Sequence, residues 1–243
     1  MLYKLIEENL AHGKKCILIS RLFSEDKLLL DLTGEILFAT TEKALELKNY
    51  YAGEIKEPIY LKDDEIFLEP IIPQRKLLIL GAGHVAQPLV TFAQELGFYI
   101  TVYDDRPTFA TRQNIPGAHA YICDSFTKVL DHIKPTENLA VVVVTRGHQH
   151  DLTCVEKFLP YNLAYLGMIG SRTKVKAVFK ALKEKGFTEK ELKKIYAPIG
   201  LDLGGAEPAE VALAIIAEIQ AVYYHKSPKH LKLLEEEHGE FKS

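Results

Sequence analysis

The stretch that most constrains the fold is an apolar run at residues 77–80 followed by the sequence GAGHVA at residues 81–86. Four consecutive apolar residues are typical of a parallel strand that is covered on both faces. Gly81 then allows a tight turn, Gly83 lets the backbone approach a ligand phosphate, and Ala86 packs a helix on the strand. The stretch therefore predicts the unit that opens a dinucleotide-binding domain. The alternative is that both glycines serve only turn and packing in a fold that holds no ligand.

An acidic residue follows the second predicted strand, residues 98–103, at about the distance that a dinucleotide-binding fold requires. The segment reads Asp104-Asp105-Arg106, and its first and last residues favour different ligands. A carboxylate at Asp104 favours a ribose hydroxyl, whereas the guanidinium of Arg106 favours an additional phosphate. A third interpretation is that Asp104 caps the turn or pairs with Arg106.

Two further strands lead into polar loops. Residues 139–144 include four consecutive valines and are predicted to form an interior strand, and residues 164–169 are predicted to form the fifth strand. The first runs into the segment 146–151 and the second into the segment 170–172. Because ligands of open α/β sheets bind outside the carboxyl ends of the strands, we expect these loops to form one site with the glycine turn.

The predicted cofactor-binding residues all follow strands at this edge of the sheet. They are Gly81, Gly83, His84, Val85, Asp104, Arg106, Arg146, His148, His150, Asp151, Gly170, Ser171 and Arg172. His148, His150 and Asp151 also have the residue types of a metal site, but we favour contact with a substrate or cofactor because a third clear ligand is missing. Asp151 is alternatively the N-cap of a helix that runs to Leu159. Ser171 and Arg172 are equally explained as an ordinary helix start with a solvated arginine.

The sequence before residue 74 is organised differently. A short amphipathic helix at residues 2–12 precedes strands at 15–22, 27–32 and 36–38, a helix at 41–51 and a hairpin at 59–68. Pro70 and Pro73 mark a boundary. We therefore predict an α/β protein in which a small α+β domain, residues 1–73, precedes a Rossmann-like parallel-sheet domain, residues 74–243.

Composition argues against several function classes. The 243 residues carry 30 basic and 33 acidic side chains, a net charge of −3, so nothing indicates a nucleic-acid partner. No apolar run approaches the ~20 residues of a membrane span. Three widely spaced cysteines form neither a disulfide framework nor a zinc pair, which favours a reducing, cytoplasmic setting. A predicted helix over residues 208–222 is apolar on most sides, and we expect a homodimer built partly on it.

Five sequence elements occur together: GAGHVA at 81–86, DDRP at 104–107, GHQHD at 147–151, GMIGSR at 167–172 and APIGLDLGGAEPAE at 197–210. In combination they resemble the xanthine dehydrogenase accessory factors of the XdhC/CoxI type, over roughly residues 65–222. That family commonly carries Cys-Gly-Gly just before the strand that leads into its Rossmann domain. This chain has Leu61-Lys62-Asp63-Asp64 there.

The resemblance implies an accessory role rather than catalysis. Members of the family resemble chaperones that bind the molybdenum cofactor, as molybdopterin or its nucleotide form, and protect it while it gains its terminal sulfur. They then insert it into a molybdenum hydroxylase of the xanthine-dehydrogenase type. A crevice with two helix N-termini suits the phosphate of such a cofactor. The alternatives are an NAD(P)-dependent oxidoreductase that uses Asp104 or Arg106 on the ribose, and a nucleotide-responsive regulator. The former lacks a convincing catalytic Tyr-Lys or Arg-His arrangement.

Overall fold

The computed structural model describes residues 1–53 and 55–231, which form two five-stranded sheets in succession. The strands of the first sheet are β1 Cys16–Arg21, β2 Lys27–Leu30, β3 Ile36–Ala39, β4 Ile59–Leu61 and β5 Ile66–Ile71. This sheet is antiparallel, with strand order β3-β2-β1-β5-β4. Helix α1, Leu2–Ala11, precedes it, and a 3-10 helix over Lys43–Tyr50 lies between β3 and β4 in sequence.

The first sheet buries apolar side chains on both faces. Ile17 of β1 is fully buried and packs in one cluster with Leu47 of the 3-10 helix. The next residue, Leu18, belongs to a second cluster with Leu2 of α1. Because successive side chains of a strand point to opposite faces, the unbroken apolar sequence of β1 places one layer on each side of the sheet.

One helix predicted from the sequence takes a tighter form. The helix predicted over residues 41–51 is the 3-10 helix Lys43–Tyr50. The hydroxyl of Thr41 accepts a hydrogen bond from the Ala44 N–H at 3.0 Å, and this three-residue spacing suits a 3-10 start. Between β8 and β9 in sequence lie a 3-10 turn, Phe126–Lys128, and the four-residue helix α3, Val129–His132.

The second sheet is parallel and consists of β6 Lys76–Leu80, β7 Tyr99–Asp104, β8 Ala120–Cys123, β9 Leu139–Val143 and β10 Tyr165–Met168. Its strand order is β10-β9-β6-β7-β8. The remaining helices are α2 Ala86–Glu95, α4 His148–Phe158, α5 Arg172–Glu184, α6 Glu189–Leu192 and α7 Pro208–Tyr223. This is a doubly wound arrangement, and it confirms the predicted α/β fold.

Strand β6 is covered on both faces, as its sequence predicts. Leu77 and Ile79 pack in the cluster that contains α2 and α7, whereas Leu78 and Leu80 pack in the cluster that contains α4 and α5. Each of the four is at most 1% exposed. Full burial of such a side chain contributes about 1.5–3 kcal/mol, so these residues hold the two helical layers on the sheet. All five residues of the neighbouring strand β9 are buried as well, which confirms its predicted interior position.

The strand order produces a crevice at the carboxyl edge of this sheet. The chain passes from β6 to β7 on one side, and β9 pairs with β6 on the other. The loops that follow β6 and β9 therefore leave the sheet in opposite directions, which is where open α/β sheets bind ligands. The turn at residues 81–85 and the segment 144–147 border this crevice.

The N-terminal part of the chain reaches the opposite, amino edge of the sheet. Asn138, directly before β9, donates from Nδ2 to the carbonyl of Gln74 at 2.6 Å. A Cβ atom on Gly13, just after α1, would lie 2.7 Å from the backbone nitrogen of Asn138. The end of α1 therefore packs closely against the start of β9, at the edge away from the crevice.

Helix α7 uses most of its apolar surface inside the protomer. Ala212, Ile215 and Ile219 are fully buried, in one cluster with Leu89 of α2. Leu213 is 49% exposed. Much of the apolar surface of α7, from which we predicted a homodimer, is thus packed against α2 of the same chain. The homodimer stays a prediction. No helix within the described ranges combines the length and the apolar character that crossing a bilayer demands.

Candidate functional site

The glycine turn after β6 is built by one residue that needs to be glycine and one that borders open space. Gly81 has φ +107°, and a Cβ there would lie 2.5 Å from the carbonyl oxygen of Val144. No side chain fits where the turn crosses the continuation of β9. A Cβ on Gly83, by contrast, would meet no atom within 4 Å. The backbone at Gly83 is therefore accessible from the crevice.

Free backbone donors follow this turn. The N–H of Ala82 donates to Asp104, but the N–H groups of Gly83, His84 and Val85 have no hydrogen-bond acceptor among the described residues. Helix α2 begins at Ala86, so these donors lie at the positive end of its dipole. His84 is exposed and Val85 is partly buried. The turn therefore presents free donors of the kind that bind an anionic group.

Asp104, at the end of β7, is 1% exposed and fully engaged. Its Oδ2 accepts from the Ala82 N–H at 2.7 Å and from Arg106 at 2.8 Å. Its Oδ1 accepts from the backbone N–H and the Nε of Arg106, at 3.0 and 2.7 Å. Burial raises the pKa of this carboxyl, but the hydrogen bonds from Arg106 and Ala82 outweigh burial, and the net pKa is lowered. Of the three interpretations of this segment, the structure shows the pair with Arg106.

Arg106 is held in a fixed orientation at the edge of the crevice. Its guanidinium carbon lies 3.4 Å from the centroid of the Phe109 ring, and its side chain is 19% exposed. The bidentate pair with Asp104 neutralises much of its charge. Arg106 therefore presents to the crevice a planar guanidinium whose charge is partly neutralised, and it does not act there as a free cation.

Helix α4 begins earlier than the sequence indicated. Gly147, with φ +92°, is its N-cap, and the helix starts at His148. Asp151 thus lies in the first turn instead of capping it. Glycine at residue 147 permits a positive φ, and the helix can therefore start four residues before the start that an Asp151 N-cap would give. Arg146 is exposed and has no carboxylate within 4.0 Å among the described residues. Any contact through the His148 side chain lies outside the part of the chain that the structure describes.

Asp151 is the centre of a buried polar cluster between β9 and β10. It is fully buried, its Oδ1 accepts from the hydroxyl of Thr145 at 2.6 Å, and its Oδ2 forms an ion pair with Lys174 of α5. The Lys174 side chain is 15% exposed. A Cβ on Gly170 would lie 2.7 Å from the Lys174 Cδ, so Gly170 leaves room for this lysine to cross. The cluster fixes the loops that follow β9 and β10 relative to one another.

His150 contacts different elements. Its Nε2 is 3.8 Å from the Oδ2 of Asp105, and its ring centroid is 5.2 Å from that of Phe126. The His150 side chain is 41% exposed and that of Asp105 is 27% exposed. His150 therefore joins the end of β7 to the start of α4, at the same edge of the sheet as the crevice.

The last predicted segment starts helix α5. The Oγ of Ser171 caps this helix by accepting from the Lys174 N–H at 3.3 Å, and Arg172 is its first residue. Arg172 is exposed. Within residues 1–53 and 55–231, no three histidine, cysteine, aspartate or glutamate side chains are grouped as a metal site would require.

The structure thus places the glycine turn, Arg106 and the segment that carries Arg146 at the same edge of the sheet, and it directs Asp104 and Asp151 into the protein interior. Binding of a cofactor by the predicted residues stays a prediction. Sequence reasoning missed Lys174 and Thr145. A lysine in the first turn opposes the helix dipole, which is a signal that it has a specific buried partner.

Comparison with known proteins gives the family. Residues 77–219, more than half of the chain, match the family model of the XdhC Rossmann domain. A protein of Bacillus subtilis described as a probable xanthine dehydrogenase subunit is 30% identical over 162 residues, which cover 67% of this chain and 47% of that protein. The uncharacterized protein YqeB of Escherichia coli is 29% identical over 148 residues, 60% of this chain and 27% of its own length. This chain therefore spans about half the length of the first relative and about a quarter of the second.

The fold has a counterpart among solved structures. The crystal structure of a xanthine dehydrogenase from Bacillus halodurans superimposes with a TM-score of 0.69 over 91% of this chain and 66% of that one, at 24% identity. By its extent, that likeness covers both the antiparallel and the parallel sheet regions. The solved structure shows the fold, and the family model that matches residues 77–219 shows that this chain belongs to the XdhC family of xanthine dehydrogenase accessory proteins.

Proposed function

We propose that this chain binds the molybdenum cofactor, as molybdopterin or its nucleotide form, in the crevice between the glycine turn and residues 144–147. It then delivers the cofactor to a molybdenum hydroxylase of the xanthine-dehydrogenase type. The observation that carries the proposal is the open space beside Gly83, adjoined by three backbone N–H groups without an acceptor among the described residues. Membership of the XdhC family supports the accessory role.

The donors around the crevice suit a phosphate-bearing ligand. The N–H groups of Gly83, His84 and Val85 would hold the phosphate, and Arg146 would add a cation from the other side. The planar face of the pair between Arg106 and Asp104 would border the ring system. When bound, the cofactor supplies the molybdenum centre of the client, while this chain holds it and shields it from water.

The state of Asp104 supports the cofactor proposal over the NAD(P)-dependent alternative. The carboxylate that such enzymes direct at a ribose hydroxyl already accepts four hydrogen bonds here. A ribose hydroxyl would have to displace Arg106 or the Ala82 N–H from a buried acceptor. Breaking one such charge-assisted bond costs about 1.5–3 kcal/mol.

The setting and the partner follow from the same proposal. The names of the B. subtilis and B. halodurans relatives associate those proteins with xanthine dehydrogenase, and we extend that association to the client of this chain. All three cysteines are free, and Cys123 is exposed, which fits a reducing cytoplasm. Residues 61–64 contain no cysteine, so the role that we propose for this chain in sulfuration is to hold the cofactor.

The experiment is Gly83→Val. A Cβ at residue 83 would meet no protein atom within 4 Å, so we expect the fold to persist, while the valine methyl groups occupy the space that the phosphate needs. We expect pterin recovered with the protein from cells that make the cofactor, quantified by mass spectrometry, to fall by roughly tenfold or more. Thr91→Val on the exposed side of α2 is the matched control and should leave recovery unchanged.

Two results would contradict the proposal. One is undiminished pterin recovery with Gly83→Val at an unchanged melting temperature. The other is turnover of NADH or NADPH by the purified chain, which would favour the oxidoreductase alternative.

A further inference from the structure

A basic groove runs along helix α5, outside the crevice. It has a volume of about 460 Å³ and is lined by four cations, namely Arg172, Lys176, Lys180 and Lys183. These residues recur once per turn on one side of the helix, so their charges form a row of about 16 Å. That length exceeds a compact ligand and matches an extended or helical segment of a protein.

Within the described ranges, two of these four cations have no carboxylate partner. Lys183 pairs with Glu189, and Lys180 lies 3.9 Å from Glu184. Arg172 and Lys176 are exposed and have no carboxylate within 4.0 Å among the described residues. The two closer to the crevice are therefore the two that remain available to an incoming anion.

The groove also belongs to a strongly polarised part of the chain. Residues 172–194 contain nine lysines and arginines against three glutamates, whereas the whole chain has a net charge of −3. The rest of the chain is therefore acidic. Such local polarity steers an acidic partner to one face and repels it from the others.

The floor of the groove is apolar. Val175, Phe179, Ala197 and Pro198 form it, and the Phe179 side chain is partly buried. A ligand that carries only charged groups would leave the apolar floor in contact with water or with unpaired polar groups. The combination of an apolar floor and a cationic rim fits a segment that carries carboxylates and an apolar side chain. A nucleic-acid backbone fits less well, because it would gain little from this floor and would face the acidic remainder of the chain.

We propose that this groove docks an acidic segment of the client hydroxylase, anchored by one apolar side chain, an inference that rests on the proposed function. Arg172 is the first residue of α5, directly after the loop that follows β10 at the carboxyl edge of the sheet. A segment held along α5 therefore places the client beside the mouth of the crevice. That position allows transfer of the cofactor without release into solution.

The test is the double variant Lys176→Glu with Lys180→Glu. Its control is Lys190→Glu with Lys193→Glu, which makes the same change of charge within the basic segment but outside the groove. Binding of each variant to the purified cofactor-free hydroxylase of the same organism is measured by biolayer interferometry at several salt concentrations. We expect the groove variant to bind roughly tenfold or more weakly with a smaller salt dependence, and the control to change by less than about threefold.

Pterin recovery from the same preparations separates this inference from the proposed function. Groove variants that retain pterin and lose the hydroxylase support the inference. A parent protein that binds pterin but not the hydroxylase, or equal losses in the two double variants, would overturn it. So would a dimer of the parent that dissociates in the groove variant with hydroxylase binding intact, since a second copy would then be the occupant. Binding of single-stranded DNA is measured on the same variants. If the groove variant loses DNA binding and keeps hydroxylase binding, the groove is assigned to nucleic acid and the inference is likewise overturned.

Discussion

The buried pair between Asp151 and Lys174 offers the sharpest test of how the two loops beside the crevice are held. We consider Lys174→Met, which keeps the length and much of the packing of the side chain and removes its charge. The carboxylate of Asp151 is fully buried and, among the described residues, would keep only the Thr145 hydroxyl as a partner. Removing one member of a buried pair costs about 3–5 kcal/mol, because the remaining charge is uncompensated.

The structure sets the size of the effect near the lower end of that range. The Lys174 side chain is 15% exposed, so water reaches the site and screens part of the lost charge. A loss of about 3 kcal/mol in the free energy of unfolding corresponds to a melting temperature lower by about 6–12 °C in a chain of this size. Urea and thermal unfolding followed by far-ultraviolet circular dichroism measure it, since the chain contains no tryptophan.

Two further variants make the reasoning refutable. Asp151→Asn combined with Lys174→Met removes both charges and should recover most of the stability, to within about 1–2 kcal/mol of the parent. Lys176→Met, on an exposed position of the same helix, should change the free energy of unfolding by less than about 0.5 kcal/mol. If Lys174→Met is as mild as Lys176→Met, or if the two single changes at the pair simply add, the pair does not hold these loops.

Two more predictions concern the crevice and the opposite edge of the sheet. Gly81→Ala forces a Cβ to within 2.5 Å of the Val144 carbonyl oxygen at φ +107°, and we expect it to cost about 2 kcal/mol or more by thermal unfolding; an unchanged melting temperature would contradict this geometry of the turn. Burial raises the pKa of Tyr223 to about 12, with Arg75 opposing the shift in part. Burial of the neutral Tyr223 hydroxyl therefore contributes fully to the free energy of unfolding below pH ~10. That contribution, at most about 2.7 kcal/mol, is lost as the pH rises toward 12. Tyr223→Phe should flatten urea unfolding profiles between pH 9 and 12, and parallel profiles for variant and parent would refute this assignment.

The parts of the fold that could be predicted from the sequence depend on local patterns. The apolar run at residues 77–80 and the consecutive valines of β9 each identify a strand that is covered on both faces, whatever its neighbours are. The glycine spacing identifies the turn because Gly81 has to pass the backbone of Val144. These signals act over a few residues, and the structure confirms them.

The parts that could not be predicted depend on contacts between distant segments. Asp104 is suited equally to a ribose and to Arg106, and only the position of the Ala82 N–H shows that its oxygens are already used. Aspartate is a common N-cap residue, which is how the sequence presents Asp151. Its actual partner, Lys174, lies 23 positions further along, and no periodicity in the sequence links the two. The start of α4 at His148 depends on the backbone of Gly147, which the residue types alone do not determine.

The location of the N-terminal part bears on which substitutions and insertions this protein can tolerate. Strand β6 has five residues, so the edge that receives α1 and the edge that carries the crevice are about 16 Å apart. A substitution, an insertion or a new partner surface within residues 1–71 therefore acts at the edge of the sheet that is farther from the donors around Gly83. The segment Leu61-Lys62-Asp63-Asp64 lies in that N-terminal part of the chain. We therefore expect residues 1–71 to tolerate more variation than the turn at residues 81–85.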